Sequence, residues 1–175
     1  AAAALVGTVA LLLFRVMTPE EAYRSMNWPV LFMIAAFVPV GHAFQVTGTA
    51  DFLARGLLAA SAWAPADLAP HVVLAMVYLV ASFLTQIASN NAAAIVVAPI
   101  ALSLGPSLGV DSRPFVIAVC FAASAAFLTP MGYQTNLMVY APGEYRFGDY
   151  ARFGAPLSVL TWLLSVLLIP VFWPF

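Results

Sequence analysis

The chain has 175 residues, of which 64% are hydrophobic and 7% charged, against roughly 25% charged in a soluble domain, so a soluble globular protein is excluded. Six arginines, no lysine and seven carboxylates leave a net charge of -1, which offers no basic surface for nucleic acid. The single Cys120 and the widely separated His42 and His71 exclude a disulfide framework, a thiolate cluster and a histidine pair for a transition metal.

Charged residues divide the chain into apolar runs, and a spanning helix needs about 20 residues. Ala1 to Met17 forms a first span; lacking an initiator methionine or leader pattern, the chain reads as a fragment. Thr18-Pro19-Glu20-Glu21 starts a short interfacial helix, with Thr18 as cap and Pro19 in the first helical position. Trp28 to Val46 is a second span. From Ala50 to Trp63 an amphipathic pattern carries Asp51 and Arg55 among Phe52, Leu53, Leu57 and Leu58, and this helix is expected to lie along the membrane surface.

The run from 68 to 110 holds its polar residues in the middle: Thr85, Gln86, Ser89, Asn90 and Asn91. The arm before them is long enough to span. The arm after them, Ala92 to Leu104, makes about 20 Å of helix, short of a hydrocarbon core of about 30 Å. A re-entrant helical hairpin over about 70–104 fits this spacing better than two full spans, an ordinary loop between tilted helices being the alternative. The run from 114 to 143 would make about 45 Å of straight helix, too long for one span. It carries its own interruption in Leu128-Thr129-Pro130-Met131-Gly132-Tyr133-Gln134-Thr135-Asn136, where unpaired backbone is costly at bilayer depth. A helix from Phe115 to about Leu128, an unwound centre and a second half from Leu137 are expected, against the bland alternative of a proline kink. A last helix covers about 155–173. Cys120 is read as a packing residue.

The fold class is therefore an all-α integral membrane protein. Arg15, Arg24, Arg146 and Arg152 fall on one side, Arg55 and Arg113 on the other, so the first set is placed in the cytoplasm and the C-terminus outside. Two interrupted apolar segments point to a secondary transporter, in which half-helix ends and polar side chains bind ions near the midplane. Neither segment contains an acid or base inside the membrane; neutral oxygens remain as ligands and suit a hard cation such as Na+. No nucleophile has a base beside it, so no enzyme and no cofactor are expected.

Thr85-Gln86-Ile87-Ala88-Ser89-Asn90-Asn91-Ala92, with Pro99 downstream, resembles the Ser-Asn-Thr hairpin tip of the divalent anion:sodium symporter family, also called citrate-transporter-like or sodium/sulfate symporters. Phe127 to Asn136 is similar to that family's broken-helix loop, and Trp28-Pro29 through Thr47-Gly48 and Tyr145-Arg146-Phe147 through Gly154-Ala155-Pro156 match in kind and order. The resemblance covers nearly the whole chain and implies the C-terminal half of an inverted-repeat permease. Residues 1–62 would be scaffold helices with the interfacial helix, and residues 63–175 part of a transport domain.

By position, the resemblance puts a sodium site on Thr85, the Ala88 carbonyl, Asn90 and the Gly132 carbonyl. Substrate would meet Ser89, Asn90, Asn91, Tyr133 and Gln134, with Pro130, Thr135 and Asn136 supporting the loop. Asn91, Tyr133 and Gln134 depart from the family's usual residues, which touches the substrate and not the fold. The implied function is import of a small divalent anion, such as sulfate or a di- or tricarboxylate, coupled to Na+, through a plasma or inner membrane. The implied partners are the anion, the lipid bilayer and the missing N-terminal half, and the resemblance allows a homodimer. Two alternatives stay open: a cation/proton antiporter or arsenite-type permease of the same superfamily, and a non-transporting membrane subunit, for which Ala122 to Ala126 would supply a small-residue face.

Overall fold

The computed structural model describes the backbone of residues 2–26 and 28–175. Among them all regular structure is helical: α1 (Ala2–Leu13), α2 (Pro19–Ser25), α3 (Trp28–Val46), α4 (Thr49–Ala60), α5 (Ala69–Thr85), α6 (Asn90–Leu108), α7 (Arg113–Ser124), a 3-10 turn (Pro130–Gly132), α8 (Gln134–Tyr140) and α9 (Phe147–Phe172). Two compact units divide within α3, Ala1–Ala36 and Phe37–Phe175.

In the first unit α2 starts as its residues dictate. The Thr18 hydroxyl accepts from the Glu21 N–H at 3.2 Å, and the Glu21 carboxylate accepts from the Thr18 N–H at 2.8 Å. These reciprocal bonds satisfy amides that a helix start leaves free. The bond from the Thr18 backbone, helped by its hydroxyl, holds the Glu21 carboxyl below its ordinary pKa. Beyond the helix, the Trp28 indole N–H donates to the Tyr23 carbonyl at 3.2 Å and its ring lies 4.6 Å from the Tyr23 ring.

In the second unit α5, α6 and α7 pack on one another, α4 lies on α6 and α5, and α9 lies on α7 and α5. The core joins Val73, Leu74, Val77 and Tyr78 of α5 to Val97 and Leu104 of α6 and Phe115 of α7. Between these larger groups Ala81, Ala118 and Ala122 are wholly buried. Small side chains let helix backbones approach closely, which is how helices gain packing energy where the solvent is itself apolar. The Trp162 indole pins α9 to α5 by donating to the Ala75 carbonyl at 3.1 Å.

Helix ends follow local chemistry. Ser89 caps α6 by accepting from the Ala92 N–H at 3.2 Å, and Gly109, at φ 72°, closes it in the left-handed conformation that favours glycine. An added Cβ at Gly105 would lie 2.1 Å from the Ser112 hydroxyl, so only glycine admits the turn into α7 there.

Several elements differ from the sequence expectation. The helix α6 has 19 residues, about 28 Å, because Pro99 and Pro106 are accommodated inside it; the shortness expected of this arm is absent. Together with α9 it is long and apolar enough to cross a membrane. The helix α7 ends at Ser124, earlier than expected, and α8 resumes at Gln134, also earlier. The helix α9 starts at Phe147 and not near 155, because the Asp149 carboxylate accepts from the Arg146 N–H at 2.7 Å and caps it. The helix α4 is not a free surface helix: Ala50 and Ala54, one turn apart, are buried, with Leu57 and Leu58 against the core and Phe52 turned outward. Cys120 is exposed on α7 and takes no part in the core.

Thr18→Ala should loosen α2, read as amide hydrogen exchange several-fold faster over residues 18–25. Because the folded Glu21 carboxyl titrates below its unfolded value, its contribution is complete above the ordinary carboxylate range and fades as pH falls through the lowered one. Acidification should therefore loosen α2 in the unaltered protein and have less effect in Thr18→Ala.

Candidate functional site

The site forms where α5 ends, α6 begins and the chain runs without α-helix between α7 and α8. Pro130 has no N–H, so the carbonyl four residues earlier, that of Ala126, has no helical donor. The Asn136 side chain replaces it, donating at 2.8 Å to the Ala126 carbonyl and at 3.1 Å to that of Thr129. Asn136 is held in turn by the Tyr150 hydroxyl of α9, which donates to its carbonyl at 2.8 Å.

Other bonds come from the end of α5. The Gln86 amide nitrogen donates to the Ser82 and Ala125 carbonyls, both at 3.1 Å, and its side-chain oxygen accepts from the Leu128 N–H at 3.1 Å. The Thr129 hydroxyl donates to the Gln86 carbonyl at 2.9 Å and accepts from the Gly132 N–H at 3.0 Å. From α9, Gly154 presses its backbone on the same segment: a Cβ added there would lie 2.1 Å from the Phe127 carbonyl oxygen.

Beside this segment lies a small oxygen cage. The Thr85 hydroxyl, fully buried, donates to the Ala123 carbonyl at 2.7 Å. The Asn90 amide closes the cage. With its nitrogen turned inward it lies 3.0 Å from the Gly132 carbonyl, 2.8 Å from the Thr85 hydroxyl and 3.1 Å from the Ala123 carbonyl. With its oxygen inward it accepts from Thr85 at 2.8 Å but faces two carbonyl oxygens. Each cage member is neutral. The fit at Gly132 is tight, since an added Cβ would sit 3.0 Å from the Ala126 Cβ and 3.3 Å from the Thr85 carbonyl oxygen.

Of the residues expected to hold a cation, Thr85, Asn90 and Gly132 thus meet. Ala88 lies half-buried in the turn between α5 and α6, its N–H donating to Leu84 at 2.9 Å. The residues expected at substrate are on the open side: Ser89 and Asn91 are exposed at the start of α6, and Tyr133 and Gln134 at the start of α8. Pro130 is buried at the head of the 3-10 turn, Thr135 is exposed, and Asn136 is half-buried. The Ala123 carbonyl, Gln86, Thr129 and Gly154 were given no role by sequence reasoning. For Gln86 a signal existed: a side-chain amide between two apolar runs, at a depth where every polar atom needs a partner.

Residues 1–116 match the family described as citrate transporter. The chain belongs to the citrate transporter family. It is accordingly part of an integral membrane protein. It is 41% identical over 93% of its length to the uncharacterized transporter sll0640 of Synechocystis sp., covering 26% of that protein. It is 34% identical over 94% of its length to sodium/sulfate cotransporter 2 of Chlamydomonas reinhardtii, covering 18% of it. To the sodium-dependent dicarboxylate transporter SdcS of Staphylococcus saprophyticus it is 24% identical over 85% of its length, covering 28%. The chain therefore spans between 18% and 28% of the length of these relatives.

Asn136→Leu should strand the Ala126 and Thr129 carbonyls at a cost of about 1–3 kcal/mol each. Gly154→Val should force α9 off the segment between α7 and α8. Both variants should lower the thermal midpoint of the detergent-purified protein, whereas Thr135→Val, at an exposed position, should leave it unchanged.

Proposed function

We propose that this chain belongs to a sodium-coupled importer of a small divalent anion, sulfate or a dicarboxylate, working by alternating access. The observation that carries the reading is the cage itself: Thr85 and Asn90 from one helix break and the Ala123 and Gly132 carbonyls from another converge within hydrogen-bond distance. Neutral oxygens from a hydroxyl, an amide and carbonyls form the donor set of a hard cation. A sodium ion entering the cage takes the place of the amide hydrogens and turns the Asn90 oxygen inward, and the Ala88 carbonyl completes the set. Sodium coupling is part of the names of two of the relatives above.

Charge arithmetic supports the coupling. The residues expected to meet the anion, half-buried Asn90 and exposed Ser89, Asn91, Tyr133 and Gln134, include no cationic side chain. The N-terminus of α6, 19 residues long, brings only a partial positive charge of about half a unit. A dianion therefore needs the cation as its main countercharge, which makes joint binding favourable.

Depth supports a re-entrant hairpin. The 12 residues of α7, starting at Arg113, rise about 18 Å, roughly half the hydrocarbon thickness of about 30 Å. The segment after Ser124 then lies near the midplane, and Gln86 is bonded to it, so the tip between α5 and α6 shares that depth. On this reading α7 and α8 form one discontinuous helix, α6, with its 19 residues, runs from the midplane to beyond the interface on its side of entry, and the end of α9 lies outside, an orientation that the arginine count supports. Residues 1–62 supply the scaffold as far as α4, which packs on α5 and α6 and so travels with the moving part, residues 63–175, and a second, inverted copy of the hairpin and break completes the substrate site.

The test is uptake of radiolabelled sulfate and succinate by the full-length protein in proteoliposomes, with and without an inward Na+ gradient. Sodium-stimulated uptake of one anion is expected, lost in Asn90→Ala, with Thr85→Val raising the half-saturating sodium concentration at least ten-fold. Uptake of neither anion under any gradient would favour the antiporter or arsenite-type reading.

A further inference from the structure

Gln86 is buried, 5% exposed, and belongs to none of the groups around the cage. It nevertheless makes more bonds across the two breaks than any cage residue. Its nitrogen donates within α5 to Ser82 and across to Ala125, its side-chain oxygen accepts from the Leu128 N–H, and its own carbonyl accepts from the Thr129 hydroxyl. The bonded residues 125, 128 and 129 lie between the two carbonyls that face the cage, those of Ala123 and Gly132. Thr85, the residue before Gln86, is the one that reaches Ala123.

The arrangement has a mechanical meaning. A helix that stops leaves its carbonyls free to swing, and the cage needs two of them aimed at one point. The Gln86 amide fixes the exit of the chain from α7 at Ala125 and its course at Leu128, and Thr129 passes the restraint on by accepting from the Gly132 N–H at 3.0 Å. The chemistry requires an amide. Two N–H donors are needed for two carbonyls and an acceptor for one N–H, and among neutral side chains only glutamine and asparagine carry two donors with an acceptor, asparagine being one methylene shorter.

We infer that Gln86 is the positioning residue of the cation cage: it locks the hairpin tip to the segment between α7 and α8 so that the Ala123 and Gly132 carbonyls are aimed before the cation arrives. The inference rests on the sodium reading of that cage. Gln86 does not touch the cation. It removes the need to order the carbonyls on binding, so its loss weakens cation affinity and leaves the movement of the loaded carrier unchanged.

Two measurements on the full-length protein test this. The first needs no sodium: in Gln86→Leu, hydrogen exchange of peptides covering 125–132 should quicken at least ten-fold, because the Leu128 N–H loses its acceptor. The second is anion uptake against sodium concentration, where Gln86→Leu should raise the half-saturating sodium concentration at least ten-fold while the maximal rate stays within two-fold. Thr129→Val, which removes one link of the same chain, should shift both readouts in the same direction by less, and it carries the test if Gln86→Leu does not fold. Unchanged exchange overturns the clamp. Quickened exchange with unchanged sodium dependence, or an equal fall in maximal rate and affinity, overturns the positioning role and leaves the sodium reading intact. Uptake by the unaltered protein that ignores sodium overturns both.

Discussion

The structure turns on one constraint: a stretch of backbone without helix, set among apolar helices, must have its amides and carbonyls paired. Each unpaired group in hydrocarbon costs several kcal/mol, against a total stability of about 5–15 kcal/mol for an ordinary domain. The pairing between α7 and α8 is supplied by side chains. Asn136 serves Ala126 and Thr129, Gln86 serves Ala125 and Leu128, and the Thr129 hydroxyl serves Gly132 and Gln86. These bonds also dictate the surrounding packing, since Gly154 lets α9 close on the segment and Tyr150 holds Asn136.

The same interruption provides the candidate site. A continuous helix would bond its carbonyls internally and offer none to a ligand. Stopping α7 at Ser124 frees the carbonyls of Ala123 and, past the turn, Gly132, and the close approach of the end of α5 and the start of α6 sets Thr85 and Asn90 against them. Stability and the proposed function thus draw on one set of peptide groups, divided between those silenced by Asn136 and Gln86 and those left facing the cage.

Much of this was legible in the sequence. Composition gave a helical membrane chain, and the clusters Thr85 to Asn91 and Leu128 to Asn136 marked both interruptions, because proline, glycine and amides inside apolar runs weaken a helix at the depth where weakening it costs most. The start of α2 was readable from Thr18, Pro19 and Glu21, whose partners are local. What escaped depends on distant partners. Gln86 bonds to residues about forty positions away, so its place between two apolar runs signals that it needs partners without naming them. The end of α7 lies earlier than expected because Gln86 takes the Ala125 carbonyl and the Leu128 N–H that would have extended that helix. Gly154 reads as one more glycine until α9 is seen against Phe127. Cys120, apolar in context, proved exposed, since an apolar run does not say which of its faces meets the core.

The chain order of these partners bears on biosynthesis. Gln86 and its helix leave the ribosome before the segment they satisfy, whereas Tyr150 and Gly154 leave after it. In the proposed transmembrane arrangement, when residues 113–140 enter the bilayer an amide able to take up the Ala125 carbonyl and the Leu128 N–H is already present, and Asn136 arrives within the same segment. The interrupted helix can therefore partition into lipid without waiting for α9, which afterwards seals an arrangement already paired.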